Sequence, residues 1–319
     1  MKLGRLCAVM ALGLSTTGLA ADYPVKPIRF LVGAAPGGGT DFMARLAAQK
    51  LSDAWGQPVI VDNRVGATGL IAMEMLAKAT PDGYTLIVFN VGHMMSAYVA
   101  RKVAFDPVKD FAPVSLMADG TTLLGIHPSI PARSVREFVA YAKARPGKLN
   151  YASGGMGGIQ HLSTELLKRE AGIDLAHVPY KGSGPGALAL VSGQVEVFLT
   201  NLLALVPLAK NGKVAALAVS GSKRVSVLPD VPTFAEAGYP GVNVSLWQGV
   251  FAPAGTSGAI IGKLSSALAA SVKTPEVTRL LEAQGAQPVG TTPAEFGRFL
   301  QLEQERWLRI VREMKITMN

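Results

Sequence analysis

The chain builds one unit twice. In its first half an apolar run, Ile28 to Gly33, enters the turn Ala34-Ala35-Pro36-Gly37-Gly38-Gly39-Thr40, and a helical pattern follows from Asp41 to about Asp53. In its second half Leu149-Asn150-Tyr151-Ala152 enters Ser153-Gly154-Gly155-Met156-Gly157-Gly158, with a helical pattern from Ile159 to about Ala171. Each unit continues alike. The first adds a strand (Val59–Val61), a loop with Gly66 and Gly69, a helix (Leu70–Ala79) and a strand (Tyr84–Phe89). The second adds a strand (Ala176–Val178), the loop Lys181-Gly182-Ser183-Gly184-Pro185-Gly186, a helix (Ala187–Ser192) and a strand (Val195–Leu199). Gly38 and Gly66 are 28 positions apart, Gly155 and Gly182 27.

Short strands alternating with helices imply an α/β fold with parallel-rich sheets, right-handed crossovers and flanking helices. Ligands of such sheets bind beyond the carboxyl ends of the strands, where all four glycine loops fall. Glycine admits positive φ, so successive N–H groups can converge on one point, and a helix start behind them adds unsatisfied donors and about half a positive charge. The two leading loops are therefore candidate anion cradles.

The first residues read differently. Lys2 and Arg5 precede an apolar stretch from Leu6 to Leu14 and the small residues Gly18-Leu19-Ala20-Ala21, the pattern of a secretory signal peptide over residues 1–21. Cleavage falls after Ala20 or Ala21, and Cys7, the one cysteine of the chain, leaves with the leader. The remaining 298 residues or so are expected to be extracytoplasmic and to form two domains. No disulfide framework or cysteine metal site is then available. Formal net charge is +9 over the full chain. The basic residues are scattered without interleaved aromatics, which argues against nucleic acid; the excess charge is either a plain solvated surface or an attraction for small anions.

Two segments read as crossings between domains: Val114–Ile126, around Asp119-Gly120, and Val242–Ala252, which holds Trp247. They divide the chain into one domain of residues 22–120 with 250–319 and another of 121–249. Two such crossings form a hinge that closes on a solute in the cleft. Ser134 and Glu137 open a helix to Ala144 as a capping pair, and Pro293–Met314 reads as a long amphipathic helix.

Catalytic patterns are missing. There is no G-x-S-x-G, H-E-x-x-H or Walker sequence, and His93, His127, His161 and His177 lack metal-ligand spacing, so no metal or cofactor is expected. A carboxylate ligand suits what is present. Backbone N–H groups contribute about 1.5–3 kcal/mol each to an anion, and micromolar affinity requires about 8 kcal/mol, so four to six such bonds suffice without an arginine clamp. The candidate contacts are Ala35, Gly37, Gly38, Gly39, Thr40 and Asp41 in the first loop, with Asn90 and His93 after the third strand. Their counterparts are Ser153, Gly154, Gly155, Gly157 and His161, then Lys181, Gly182 and Ser183, then Thr200 and Asn201. Asp41 either touches a ligand donor or caps its own helix; Trp247 either lines the cleft or packs in a core.

A resemblance emerges from these segments. Tyr23-Pro24-Val25-Lys26-Pro27-Ile28 and Ala35-Pro36-Gly37-Gly38-Gly39-Thr40-Asp41 resemble the start of mature substrate-binding proteins of the tripartite tricarboxylate transporters, the TctC-like or Bug receptors. Val61-Asp62-Asn63-Arg64, Pro81-Asp82-Gly83-Tyr84-Thr85-Leu86, Asp110-Phe111-Ala112-Pro113-Val114, Pro146-Gly147-Lys148-Leu149 and Tyr151-Ala152-Ser153-Gly154 continue it. His177-Val178-Pro179-Tyr180-Lys181-Gly182, Leu228-Pro229-Asp230-Val231-Pro232-Thr233 and Ala252-Pro253-Ala254-Gly255-Thr256 carry it through the chain.

The resemblance implies a two-domain periplasmic-binding-protein fold of the Venus-flytrap, type II-like kind. It implies a monomeric receptor, not an enzyme, that holds a small organic carboxylate and presents it to the membrane subunits of a tripartite tricarboxylate transporter. Grip on the carboxylate by the loops around Gly37–Thr40 and Ser153–Gly158, with Lys181–Ser183 nearby, is implied as well. Many relatives carry phenylalanine at Ala34 and aspartate at Thr200. The departures point to a bulkier or non-amino acid, aromatic or dicarboxylic. A solute sensor for two-component signalling would look the same in sequence. A secreted hydrolase would need a nucleophile beside a base, such as Ser153 with His161, and no third orienting group is apparent.

Overall fold

The computed structural model describes residues 23–100, 102–180 and 182–314. The leader over 1–21 and Lys181 lie outside the described residues.

In chain order the first segment gives β1 (Ile28–Val32), α1 (Gly39–Trp55), β2 (Val59–Asn63), α2 (Leu70–Ala77), β3 (Thr85–Asn90), α3 (Val91–Val99) and β4 (Phe111–Gly120). The middle gives β5 (Thr122–Ile126), α4 (Val135–Lys143), β6 (Asn150–Ser153), α5 (Ile159–Ala171), β7 (Ala176–Pro179), α6 (Ser183–Val191), β8 (Val197–Asn201), α7 (Leu202–Lys210) and β9 (Ala215–Val219). The last gives β10 (Gln248–Pro253), α8 (Gly258–Val272), α9 (Pro275–Ala283), β11 (Ala286–Pro288) and α10 (Pro293–Met314).

Two sheets result, one ordered β11-β4-β10-β3-β1-β2 and the other β7-β6-β8-β5-β9. Both are mixed, with helices on their flanks. The βαβ units do pair in parallel, β1 with β2 and β3, and β6 with β7 and β8. The strands that enter a sheet from a crossing run the other way: β10 is antiparallel to β3 and β4, and β5 to β8 and β9. A chain that leaves the carboxyl end of one sheet can enter the next only against the local strand direction.

The crossing segments lie side by side. Leu246 N donates to Gly120 O at 2.9 Å, and Thr121 bridges Ser245 in antiparallel fashion. Each sheet carries helices on both faces, because its strands alternate apolar residues to two cores. Phe30, Val32, Leu86 and Val88 pack under α1 and α8, while Leu31, Ile87 and Phe89 face the opposite core with α2, α3 and α10. That second core also takes Leu162 and Leu166 of α5, so a helix of the middle segment is docked on the large sheet's layer.

Trp247 is fully buried there, which decides between its two sequence readings in favour of packing. Its indole N–H and that of Trp307 both donate to Glu303 Oε2, each at 3.1 Å. A carboxylate in a core is tolerable when its oxygens are answered: the two indoles take Oε2, and Arg306 Nη1 pairs with Oε1 at 3.4 Å.

Candidate functional site

Five helices begin at one cavity. Gly39 and Thr40 of α1, Val91 of α3, Ile159 and Gln160 of α5, Ser183 and Gly184 of α6, and Leu203 and Ala204 of α7 all line a space of about 470 Å³. The crossing segments supply Gly120, Thr121, Leu246 and Gln248 to its wall. Among the described residues, no charged side chain lines it.

The helix starts differ in how they are closed. Asn90 caps α3, its side chain accepting from His93 N at 3.2 Å, and Asn201 caps α7, accepting from Ala204 N at 3.0 Å. α1, α5 and α6 have glycine at the N-cap (Gly38, Gly158 and Gly182) and no side-chain cap. Three helices thus point leading amides and the positive ends of their dipoles at one space without a protein group to answer them.

The first loop is held from behind. Asp41 accepts from Gly37 N and Arg45 Nε at Oδ2 and from Asn63 Nδ2 at Oδ1, each at 2.9 Å. Burial alone would raise this carboxyl, but hydrogen bonds from Arg45, the Gly37 amide and Asn63 outweigh it and hold it below the usual range. Asp41 therefore braces the loop and lines no part of the cavity, as does Ala35. Ala34 packs against the core of the large sheet rather than lining the cavity. Thr40 and Asn90 do line it, and Asn90 Nδ2 donates to Thr40 Oγ1 at 2.8 Å.

His93 sits behind Asn90. Its Nδ1 lies 3.3 Å from the Asn90 amide, and burial pushes the ring down to about 4. Gly69, at φ 89°, lets the ring approach: a Cβ there would lie 1.8 Å from His93 Cδ2. This glycine loop serves packing.

The second glycine loop is not a mirror of the first. Ser153 is fully buried; its Oγ lies 2.6 Å from His177 Nε2 and accepts from Gly155 N at 3.1 Å. Gly157 N donates to His161 Nδ1 at 3.0 Å. The amides of 155 and 157 are thus engaged within the loop itself, and Ser153, Gly154, Gly155, Gly157 and His161 lie outside the lining.

Behind them the rings of His161 and His177 stack at 4.2 Å, and Tyr151 stacks on His177 at 4.9 Å. Burial lowers His177 to about 4, helped by the neighbouring His161, and burial lowers His161 as well. Ser153 pairs with His177 rather than with His161, in a site with no opening to the cavity.

Toward the cavity the middle segment presents side chains instead. Ser183 Oγ accepts from Gln160 Nε2 at 3.0 Å and Asn201 Nδ2 at 3.1 Å, with Thr200 Oγ1 at 3.2 Å. Two amides fill both lone pairs of Ser183, leaving its proton to Thr200 or to a guest. Gln248 Oε1 is buried and has no hydrogen-bond partner among the described residues. Gln160 and Gln248 were not singled out in the sequence. Gln160 follows the second glycine loop one residue before His161, at the helix position that turns outward; Gln248 carries no local signal.

A family model described as "Tripartite tricarboxylate transporter family receptor" (TctC) matches residues 43–316. Protein BugT of Bordetella pertussis is 37% identical over 98% of this chain and 98% of its own length. Among solved structures, R. palustris Rpa4515 with adipate is 38% identical, covering 93% of this chain and 99% of its own, at a TM-score of 0.86. MatC from Rhodopseudomonas palustris with bound malate is 36% identical, covering 91% and 100%, at a TM-score of 0.81.

Proposed function

The chain belongs to the tripartite tricarboxylate transporter receptor family of periplasmic solute-binding proteins, and from that premise we propose that it captures a small dicarboxylate or aromatic carboxylate in the 470 Å³ cavity. The observation that carries this reading is the convergence of three glycine-capped helix starts, those of α1, α5 and α6, on one uncharged space. One carboxylate lies against the amides of Gly39 and Thr40, with Asn90 beside it. The far end of the guest meets Gln160, Ser183, Asn201 and Gln248.

Adipate and malate, bound by two relatives, are acids of this kind. Thr200 lies fully buried behind the lining, and Gln160, Ser183 and Asn201 offer a hydroxyl and amides where an ammonium group would need a carboxylate, which disfavours amino acids.

The division into residues 22–120 with 250–319 and 121–249 belongs to the same proposal: closure of the two parts about the paired crossings excludes water from the guest. The leader sends the chain to the periplasm, and the closed monomer delivers its guest to the membrane subunits of a tripartite tricarboxylate transporter. In this reading no turnover accompanies capture, since neither Ser153 nor His177 lines the cavity.

Calorimetry of the mature protein with adipate, malate, benzoate, aspartate and glutamate tests it. Adipate, malate or benzoate should bind and the amino acids should not. Best binding of aspartate or glutamate, or no binding of any acid, overturns the reading.

A further inference from the structure

A second cavity, of about 350 Å³, lies on the α3/α10 side of the large sheet. Its floor is aromatic: Phe89 and Phe251 stack at 3.7 Å, and Phe111 meets Phe89 edge-on at 5.7 Å. Its volume falls in the range of small-molecule sites, about 300–1,000 Å³.

Three details distinguish it from a packing defect. Gly297 lines it from α10, at an interior helix position where glycine is disfavoured relative to alanine. Neither positive φ nor crowding requires glycine there: a Cβ would meet only Pro113 Cγ, at 3.8 Å. The missing side chain has one structural effect, to keep the cavity open. Tyr98 lines it from α3, and its buried hydroxyl has no partner among the described residues. Arg298, also on the wall, makes no ion pair or hydrogen bond among the described residues, while Glu295 nearby is committed to Thr292.

We propose that this cavity is a second ligand site, for a small monocarboxylate with an apolar body, such as a medium-chain or aromatic acid. The body lies on the three phenylalanine rings. The carboxylate takes Arg298 at the rim. The site is chemically unlike the first cavity, whose described wall is mostly glycine, amide and hydroxyl groups around Gly37–Thr40, Gln160, Ser183 and Asn201.

Octanoate is the probe and octanol its uncharged control, titrated into the mature protein by calorimetry with saturation-transfer NMR. Wild type should bind octanoate, and octanol at least about tenfold more weakly. Gly297→Leu, which fills the space and suits a helix, should lose octanoate by at least about tenfold while melting no lower than wild type and keeping its affinity for adipate. Arg298→Gln should weaken octanoate and leave octanol unchanged. The proposal is overturned if wild type binds no octanoate, if octanol binds as well, or if Gly297→Leu binds octanoate normally. Loss of octanoate in Gly38→Val but not in Gly297→Leu would put the acid in the first cavity and overturn it too.

Discussion

Single residues set the acid limit of this protein. His93, His161 and His177 are held neutral by burial, His93 and His177 with folded values near 4 against 6.5 when exposed. Between those values the unfolded chain binds protons that the folded one refuses, so stability falls as pH drops from 6.5 toward 4, by up to about 1.4 kcal/mol per pH unit for each group. Thermal melts from pH 7.5 to 4.5 should show a plateau above neutrality and a steep decline below it. His177→Phe, which keeps a ring in the stack but cannot titrate, should make that decline shallower; an unchanged slope would remove His177 from the account. Asp41 works at lower pH. Its depressed carboxyl contributes stability that is present above its unfolded value, about 3.9, and lost as pH falls through the folded one. Asp41→Ala leaves the Gly37 amide, Arg45 and Asn63 without their acceptor and should cost about 3 kcal/mol in denaturant unfolding.

At the scale of elements, the decisive feature is which helix starts lack a side-chain cap. Gly38→Val keeps an extended backbone that valine accepts, and its Cβ would come no nearer than 3.5 Å to Ala35 O. The variant should fold with a loss of about 1 kcal/mol and bind adipate at least about tenfold more weakly in calorimetry. Gly155, at φ 140°, is a different case: valine there strains the backbone, so lost stability should precede any lost affinity. α5 and α10 were legible in the sequence to the residue, because a glycine cap and a sustained apolar stripe mark their ends. α6 begins four residues before its expected start, since Ser183-Gly184-Pro185-Gly186 reads as loop although proline is tolerated in a first helical turn. Gly37, Gly38, Gly39, Thr40, Asn90, Ser183 and Asn201, expected at one cleft, all line one space. The engaged amides of the second loop were not legible, because Ser153 and His161 reach back by side-chain rotamer, which glycine spacing does not encode. Gln248 was invisible for another reason: its neighbours in space come from α1 and the Gly120 crossing, far away in sequence.

Across the whole molecule, the strand that carries Gln248 into the cavity wall also carries Trp247 into the core below. Glu303 joins that strand to α10 through its two indole partners. Glu303→Leu strands both indole N–H groups in an apolar core and should cost about 3 kcal/mol by chemical denaturation. Its effect on adipate should be smaller than that of Gly38→Val, because no atom of the cavity wall is removed. The parallel units of each sheet follow from local spacing, but the antiparallel partners follow from how two crossings share one ladder, which a single pass along the chain does not reveal.

That shared carboxylate has a practical corollary for anyone handling the protein. Trimming the chain ahead of Trp307 would discard one indole and loosen the carboxylate that holds the other, so an edit at the far end would be felt some sixty residues upstream. An intact carboxyl-terminal helix is therefore the safer choice in any tagged or shortened version of the protein.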